Sequence, residues 1–139
     1  MPRPAGRNVQ NLAKSKSLPW TAAKGFDTWL PVSTPSFVPA AALPDSSRAY
    51  LTYSVNGHVR QAGSTCLMLT PVAELIAFVS SIMRLEEGDL ILTGTPEGVS
   101  QVVPGDRITA ELRDEVGGEV VARLAHEIVA REGGYEFKG

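Results

Sequence analysis

The stretch Tyr50-Leu-Thr-Tyr-Ser-Val-Asn-Gly-His-Val-Arg-Gln61 constrains the fold most, because its apolar residues recur with a period of two and then meet Asn56-Gly57. Leu51, Tyr53 and Val55 alternate with Tyr50, Thr52 and Ser54, so the two sets fall on opposite faces of a strand. Asn-Gly accepts the positive φ values of a type I′ turn, and the twist of that turn suits the flanking strands. The pattern predicts a β-hairpin.

Other strand signals follow the same logic. Val102-Val-Pro-Gly-Asp106 supplies a Pro-Gly turn into a strand at Arg107–Leu112, and Glu119–Val129 alternates well enough for another. Asp89–Leu92 reads as a short apolar strand after the polar turn Glu86-Glu-Gly-Asp89. From Thr70 the period becomes helical: Val72, Leu75, Ile76, Val79, Ile82 and Met83 fill one stripe expected to pack as core. Thr70 is the expected N-cap, Pro71 takes the first helical position, and Glu74 lies near the positive end of the helix dipole.

Residues 7–16 can form a short helix with Val9, Leu12 and Ala13 on one side, stopped by Pro19. Gly25–Pro44 carries prolines at 31, 35, 39 and 44 and reads as extended strand and loop. It keeps Phe26, Trp29, Leu30, Val32, Phe37 and Val38, more apolar surface than a solvated linker carries. With no repeated βαβ pattern, the expected class is mainly β with one good helix (α+β).

At 139 residues the chain is most simply one domain, and 43% hydrophobic residues suffice for a core. A net charge of -2 without any Lys/Arg run gives no reason to expect nucleic acid as a partner. The longest apolar stretch, Val72–Met83, is interrupted by Glu74, Ser80 and Ser81 and is too short to span a bilayer, so no membrane partner is expected. Cys66 is the only cysteine, which rules out an intrachain disulfide and reads as a small buried hydrophobe. His58 and His126 lie in or beside strands and read as surface residues. The first acidic residue is Asp27, so the leading segment with Arg3, Arg7, Lys14, Lys16 and Lys24 has the composition of a transit peptide; domain sequence is the favoured reading.

Chemistry concentrates in Gly88-Asp-Leu-Ile-Leu-Thr-Gly-Thr-Pro-Glu-Gly98. There Gly94, Pro96 and Gly98 shape a turn that aims the hydroxyls of Thr93 and Thr95 at a fixed point. No His-Glu-x-x-His, Gly-x-Ser-x-Gly, Cys-x-x-Cys or phosphate-loop pattern occurs.

Three blocks in order carry a resemblance. They are Leu18-Pro-Trp-Thr-x-Ala-Lys24-x-Phe-Asp27; then Val55-Asn-Gly57, Arg60-Gln61-x-Gly63-x-Thr65 and Met68; then Leu85-Glu-Glu-Gly-Asp89-x-Ile-Leu-Thr-Gly-Thr-Pro96-x-Gly-Val99. The ordered set resembles the fumarylacetoacetate hydrolase family, nearest its acylpyruvase or oxaloacetate decarboxylase branch, over about residues 7–108, with a divergent tail at 113–139. The resemblance implies a partial mixed β-sandwich roll of the fumarylacetoacetate hydrolase type, and residues 1–139 would form a single incomplete domain of it. It also implies a small 2-keto acid substrate, undergoing acylpyruvate carbon-carbon cleavage, oxaloacetate decarboxylation or tautomerisation. Mg or Mn would stabilise charge developing on the substrate oxygen.

By the same resemblance Lys24 is the catalytic cation that orients the carbonyl or carboxylate, Arg7 and Gln10 hold other substrate oxygens, and Thr95 donates its hydroxyl to the carboxylate. A homodimer and a mitochondrial or cytoplasmic location are further implications. The family's metal is held by a Glu-x-Glu and an Asp upstream of the matching arginine. Here the Asp position is Arg3, and no Glu-x-Glu precedes Arg7. The expectation is therefore an N-terminally truncated member with no metal ligand of its own, no tight Mg or Mn binding, and little or no activity alone. The alternative is a short non-catalytic module that assembles with a full-length relative.

Overall fold

A computed structural model describes residues 6–27, 29–32, 37–130 and 132–133. The chain divides into two compact units, Met1–Val32 with Ala130–Gly139, and Ser33–Val129.

In the first unit, helix α1 (Gly6–Ser15) packs on a four-residue helix α2 (Thr21–Lys24), with Ala13 and Ala23 buried. Val9 and Leu12 are half-buried beside Ala13, as their spacing predicts. Pro19 does not end α1. The chain turns at Ser17, whose φ is 52°, while Leu18 N–H bonds Ala13 O at 2.8 Å and Ser17 N–H bonds Lys14 O at 3.2 Å. That is a Schellman ending with serine in the position glycine usually takes. Helix α2 is an addition to the expected elements, since four residues carry no periodicity. The described part of Gly25–Pro44 contains no strand, only a single 3₁₀ turn at Ala40–Ala42 and the Phe26–Trp29 ring pair at 4.8 Å. Pro35 lies outside the described residues.

The second unit is built on a four-stranded antiparallel sheet of order β2-β1-β3-β4. Its strands are β1 (Tyr50–Val55), β2 (His58–Ser64), β3 (Arg107–Arg113) and β4 (Val120–Glu127). The predicted hairpin is β1–β2, with φ of 52° at Asn56 and 78° at Gly57 as a type I′ turn requires. A register shift between Tyr53 and Ser54 marks a bulge in this pair. Asn56 also ties the hairpin to β3: its Nδ2 donates to Asp106 Oδ1, and its Oδ1 accepts from Arg107 N–H, each at 2.8 Å.

Cross-strand partners share a face, so the register assigns the two sides. One side carries Leu51, Tyr53, Val55, Ile108, Ala110, Leu112, Ala122 and Leu124; the other carries Thr52, Ser54, Thr109, Glu111 and Arg123. Val55 and Ile108 are the best-buried sheet residues. On the polar face Glu111 accepts from Arg113 at 2.7 Å and Arg123 at 3.0 Å, which hold its carboxyl below the usual carboxylate range.

Several expectations are corrected here. Asp89–Leu92 is not a strand, because a strand requires a ladder partner and the described sheet supplies none to it. The polar turn before it does form, with Asp89 N–H bonded to Glu86 O at 3.1 Å and Glu86 N–H to Asp89 Oδ2 at 2.8 Å. Helix α3 (Val72–Ile82) begins one residue late, with Pro71 rather than Thr70 at the N-cap and no side-chain cap bond. Its apolar stripe is not core: Val72, Leu75 and Val79 are half-buried, while Ile76, Ile82 and Met83 are exposed. Cys66 is exposed rather than buried. His126 is half-buried rather than exposed: it stands opposite Ile108 on the apolar face, and its buried Nε2 has no hydrogen-bond partner among the described residues.

Candidate functional site

The glycine-rich segment after Leu92 is irregular, yet strand β2 holds it. Gln61 lies opposite Tyr53, on the apolar face, and its side chain reaches the loop. Gln61 Nε2 donates to Thr95 Oγ1 at 2.7 Å, to Pro96 O at 2.6 Å and, more weakly, to Glu97 O at 3.3 Å. A half-buried amide needs such partners, and these three belong to one tripeptide.

Two glycines allow the approach. A Cβ on Gly63 would stand 3.4 Å from Pro96 Cβ, so the proline ring lies over a strand position without a side chain. A Cβ on Gly98 would come within 1.9 Å of Arg60 O, and Gly98 has φ of +93°, so only glycine fits there. The loop thus lies backbone to backbone against β2, with Pro96 half-buried and Thr93 and Thr95 exposed. Thr95, expected to present a hydroxyl, is exposed, and its Oγ1 accepts from Gln61 Nε2. Thr93 has no described partner holding it in the same way.

The other expected site residues lie in the first unit. Arg7 and Gln10 are on α1, three positions apart and therefore one turn from each other along the helix. Gln10 is half-buried, and the Arg7 side chain lies outside the described residues. Lys24 closes α2 and is exposed. The packing of α1 on α2 brings the segments bearing Gln10 and Lys24 together within that unit.

Among the described residues no group of three or more His, Cys, Asp and Glu side chains could hold a metal ion. The donor set of the described residues does not fit a divalent cation, so no chemical step is derived through one. No helix among the described residues is long and apolar enough to cross a membrane. Asp106 accepts from Val103 N–H and Asn56 Nδ2, which lower its pKa, and it works as a turn anchor beside the hairpin.

Gln61 is the site residue missed by motif reading. Its signal in the sequence was its place in the Arg60-Gln61-x-Gly63 block; its partner lies 34 residues away.

Comparison with known proteins gives this geometry a context. Residues 5–129 match the family model described as fumarylacetoacetate (FAA) hydrolase C-terminal, a longer span than the 7–108 over which the motifs run. The chain is 45% identical over 115 residues to the mitochondrial oxaloacetate tautomerase oaa1 of Schizosaccharomyces pombe, covering 83% of this chain and 51% of that protein. It is 50% identical over 102 residues to the mitochondrial oxaloacetate decarboxylase of Dictyostelium discoideum, covering 73% and 46%. The chain thus spans about half the length of these relatives.

Among solved structures, yeast ynq8, a fumarylacetoacetate hydrolase family protein, superposes with a TM-score of 0.84 at 40% identity over 96% of this chain and 56% of that one. The maleylpyruvate hydrolase of Sphingobium sp. SYK-6, in complex with manganese (II) ion and pyruvate, superposes with a TM-score of 0.58 at 36% identity, over 65% and 32%. Metal use thus occurs among these similar proteins. The antiparallel sheet with few helices is the architecture shared with ynq8.

Proposed function

Because the chain belongs to the fumarylacetoacetate hydrolase family, we propose that it carries part of the binding machinery for a small 2-keto acid, of the oxaloacetate or acylpyruvate class. The observation that carries this reading is its 45% and 50% identity, over most of its length, to relatives named for oxaloacetate tautomerisation and decarboxylation.

The roles follow from chemistry. In tautomerisation, decarboxylation and carbon-carbon cleavage of a 2-keto acid, negative charge grows on the keto oxygen, and fixed donors or cations at that oxygen lower the barrier. Lys24 supplies a cation in the first unit and is the catalytic residue of this reading. Arg7 and Gln10, one helical turn apart, supply planar donors suited to carboxylate oxygens. Thr95 supplies a neutral hydroxyl for a carboxylate. Removing one such donor from an oxyanion site costs on the order of 3 kcal/mol.

The chain by itself is proposed to be a poor catalyst, since its described residues offer no cluster of metal ligands. The test follows the enol absorbance and the decarboxylation of oxaloacetate while Mg or Mn is titrated, with calorimetry on the same samples. Expected are saturable oxaloacetate binding weakened by K24A, heats of metal addition near those of dilution, and turnover close to that of buffer with metal. Tight Mn binding with rapid turnover would overturn the inactive reading. Mitochondrial residence follows the names of the relatives and is checked by fractionation.

A second reading is favoured by the exposed apolar residues of α3 and its surroundings, among them Leu69, Phe78, Ile82 and Leu92. In it the chain is a non-catalytic module that assembles with a longer relative. Co-purification with that relative, lost when Phe78 is made polar, supports it; failure to associate at micromolar concentration removes it. A homodimer, the other association the family suggests, is read by light scattering.

A further inference from the structure

The amide of Gln61 does more than anchor a loop. Two of the three groups it faces, Pro96 O and Glu97 O, are backbone carbonyls that only accept hydrogen bonds. The end of the side chain pointing at them is therefore the NH₂ end. Its two hydrogens go to the two shortest contacts, Pro96 O at 2.6 Å and Thr95 Oγ1 at 2.7 Å. Thr95 must accept from Gln61, and its own hydroxyl proton is left for another partner.

We propose that Gln61 is the positioning residue of this loop: by making Thr95 Oγ1 an acceptor on its inner side, it turns the hydroxyl proton outward as a donor for the carboxylate of a 2-keto acid. The proposal rests on the reading of Thr95 as a substrate-binding group. An unpaired threonine hydroxyl rotates freely and can present either a lone pair or a proton. Fixing its polarity beforehand removes an ordering cost at binding and disfavours uncharged donors as ligands. Gly63 and Gly98 serve the same end, because they let the loop lie close enough to β2 for one short side chain to reach all three acceptors.

Substitution at position 61 separates anchoring from polarity. Q61M keeps the side-chain length and removes both donors. Q61E keeps the shape, but when ionised it has no hydrogen to give; it meets the Pro96 and Glu97 carbonyls oxygen to oxygen and draws the Thr95 proton inward. When protonated it can donate once, so its defect is reversed by acid, which loss of packing alone does not explain.

The test is an NMR titration of the whole chain with pyruvate, whose carboxylate stays ionised from neutral to mildly acidic pH, together with amide hydrogen exchange at residues 94–99. In Q61M, loop exchange is expected to quicken about tenfold and pyruvate affinity to fall about tenfold, as for loss of one hydrogen bond to a charged group. In Q61E the affinity falls at least as far at neutral pH and recovers on acidification, while T95S binds as the unmodified chain does and T95V does not. Loop exchange unchanged in both Q61M and Q61E, or Q61E binding pyruvate normally at neutral pH, overturns the proposal. If the unmodified chain binds no pyruvate, the keto-acid reading and the donor role both fail, whereas the exchange data still decide whether Gln61 positions the loop.

Discussion

Gly94 and Gly98 share a φ of +93° but differ in what surrounds them, and the pair isolates the contact between loop and sheet. At Gly94 an added Cβ meets nothing within 4 Å; at Gly98 it meets Arg60 O at 1.9 Å, Arg60 C at 3.0 Å and Gln61 Cγ at 3.4 Å. G94A therefore suffers only the backbone penalty of a left-handed position, about 1–2 kcal/mol. G98A suffers the same penalty plus a collision with a strand backbone that cannot rotate away. Forcing an extra carbon into packed surroundings costs about 1–3 kcal/mol more. The expected difference between the two variants is that second quantity, since the first cancels.

Urea unfolding followed by circular dichroism gives the global part, read as a lower midpoint at unchanged slope. Hydrogen exchange at residues 94–99 and 60–61 gives the local part, should the loop detach before the sheet unfolds. Equal losses in G94A and G98A, with equal exchange at Gln61, would refute the close seating of the loop on β2 and with it the geometry argued for Thr95.

Acid should weaken the turn around Asp106. Its folded pKa lies below the ordinary 3.8, so its contribution is fully present above that value and is lost as pH falls through the lower folded one. N56G, which keeps the positive φ while deleting the side chain, is expected to cost about 1 kcal/mol and to move the Asp106 carboxyl titration upward, seen by NMR; no movement would remove Asn56 as a cause. F78S on α3 should change stability by no more than about 0.5 kcal/mol, because Phe78 is 64% exposed, while reducing self-association and dye binding. A loss of about 3 kcal/mol, the size typical of a core phenylalanine, would mean that α3 is packed after all.

Much of this architecture was legible because its signals are local. The hairpin needed only alternation and Asn56-Gly57, β3 alternation after a Pro-Gly turn, and β4 alternation alone; β1, β3 and β4 were found within a residue or two, while β2 runs on to Ser64, three residues past Gln61. The two long helices were legible from their period, but their ends depended on backbone geometry: a serine at φ of 52° closes α1, and Pro71 opens α3. Asp89–Leu92 misled because an apolar run says nothing about whether a ladder partner is available. Cys66 is exposed and His126 half-buried, the reverse of the direction each type suggests, since exposure depends on what packs above a residue rather than on its type.

The division in the site has the same physical root. By itself the sequence determined the strand period, the turn chemistry, the family blocks and the presence of Thr95 among glycines, all properties of contiguous residues. Only the tertiary structure decided that Gln61, on the far side of 34 residues, takes the Thr95 hydroxyl and the next two carbonyls. It alone decided that Gly98 must stay a glycine because the Arg60 backbone fills the space of its side chain. Hydrogen-bond polarity and steric exclusion between distant segments arise only when the chain is folded, because they depend on ångström distances across the sheet and not on residue order.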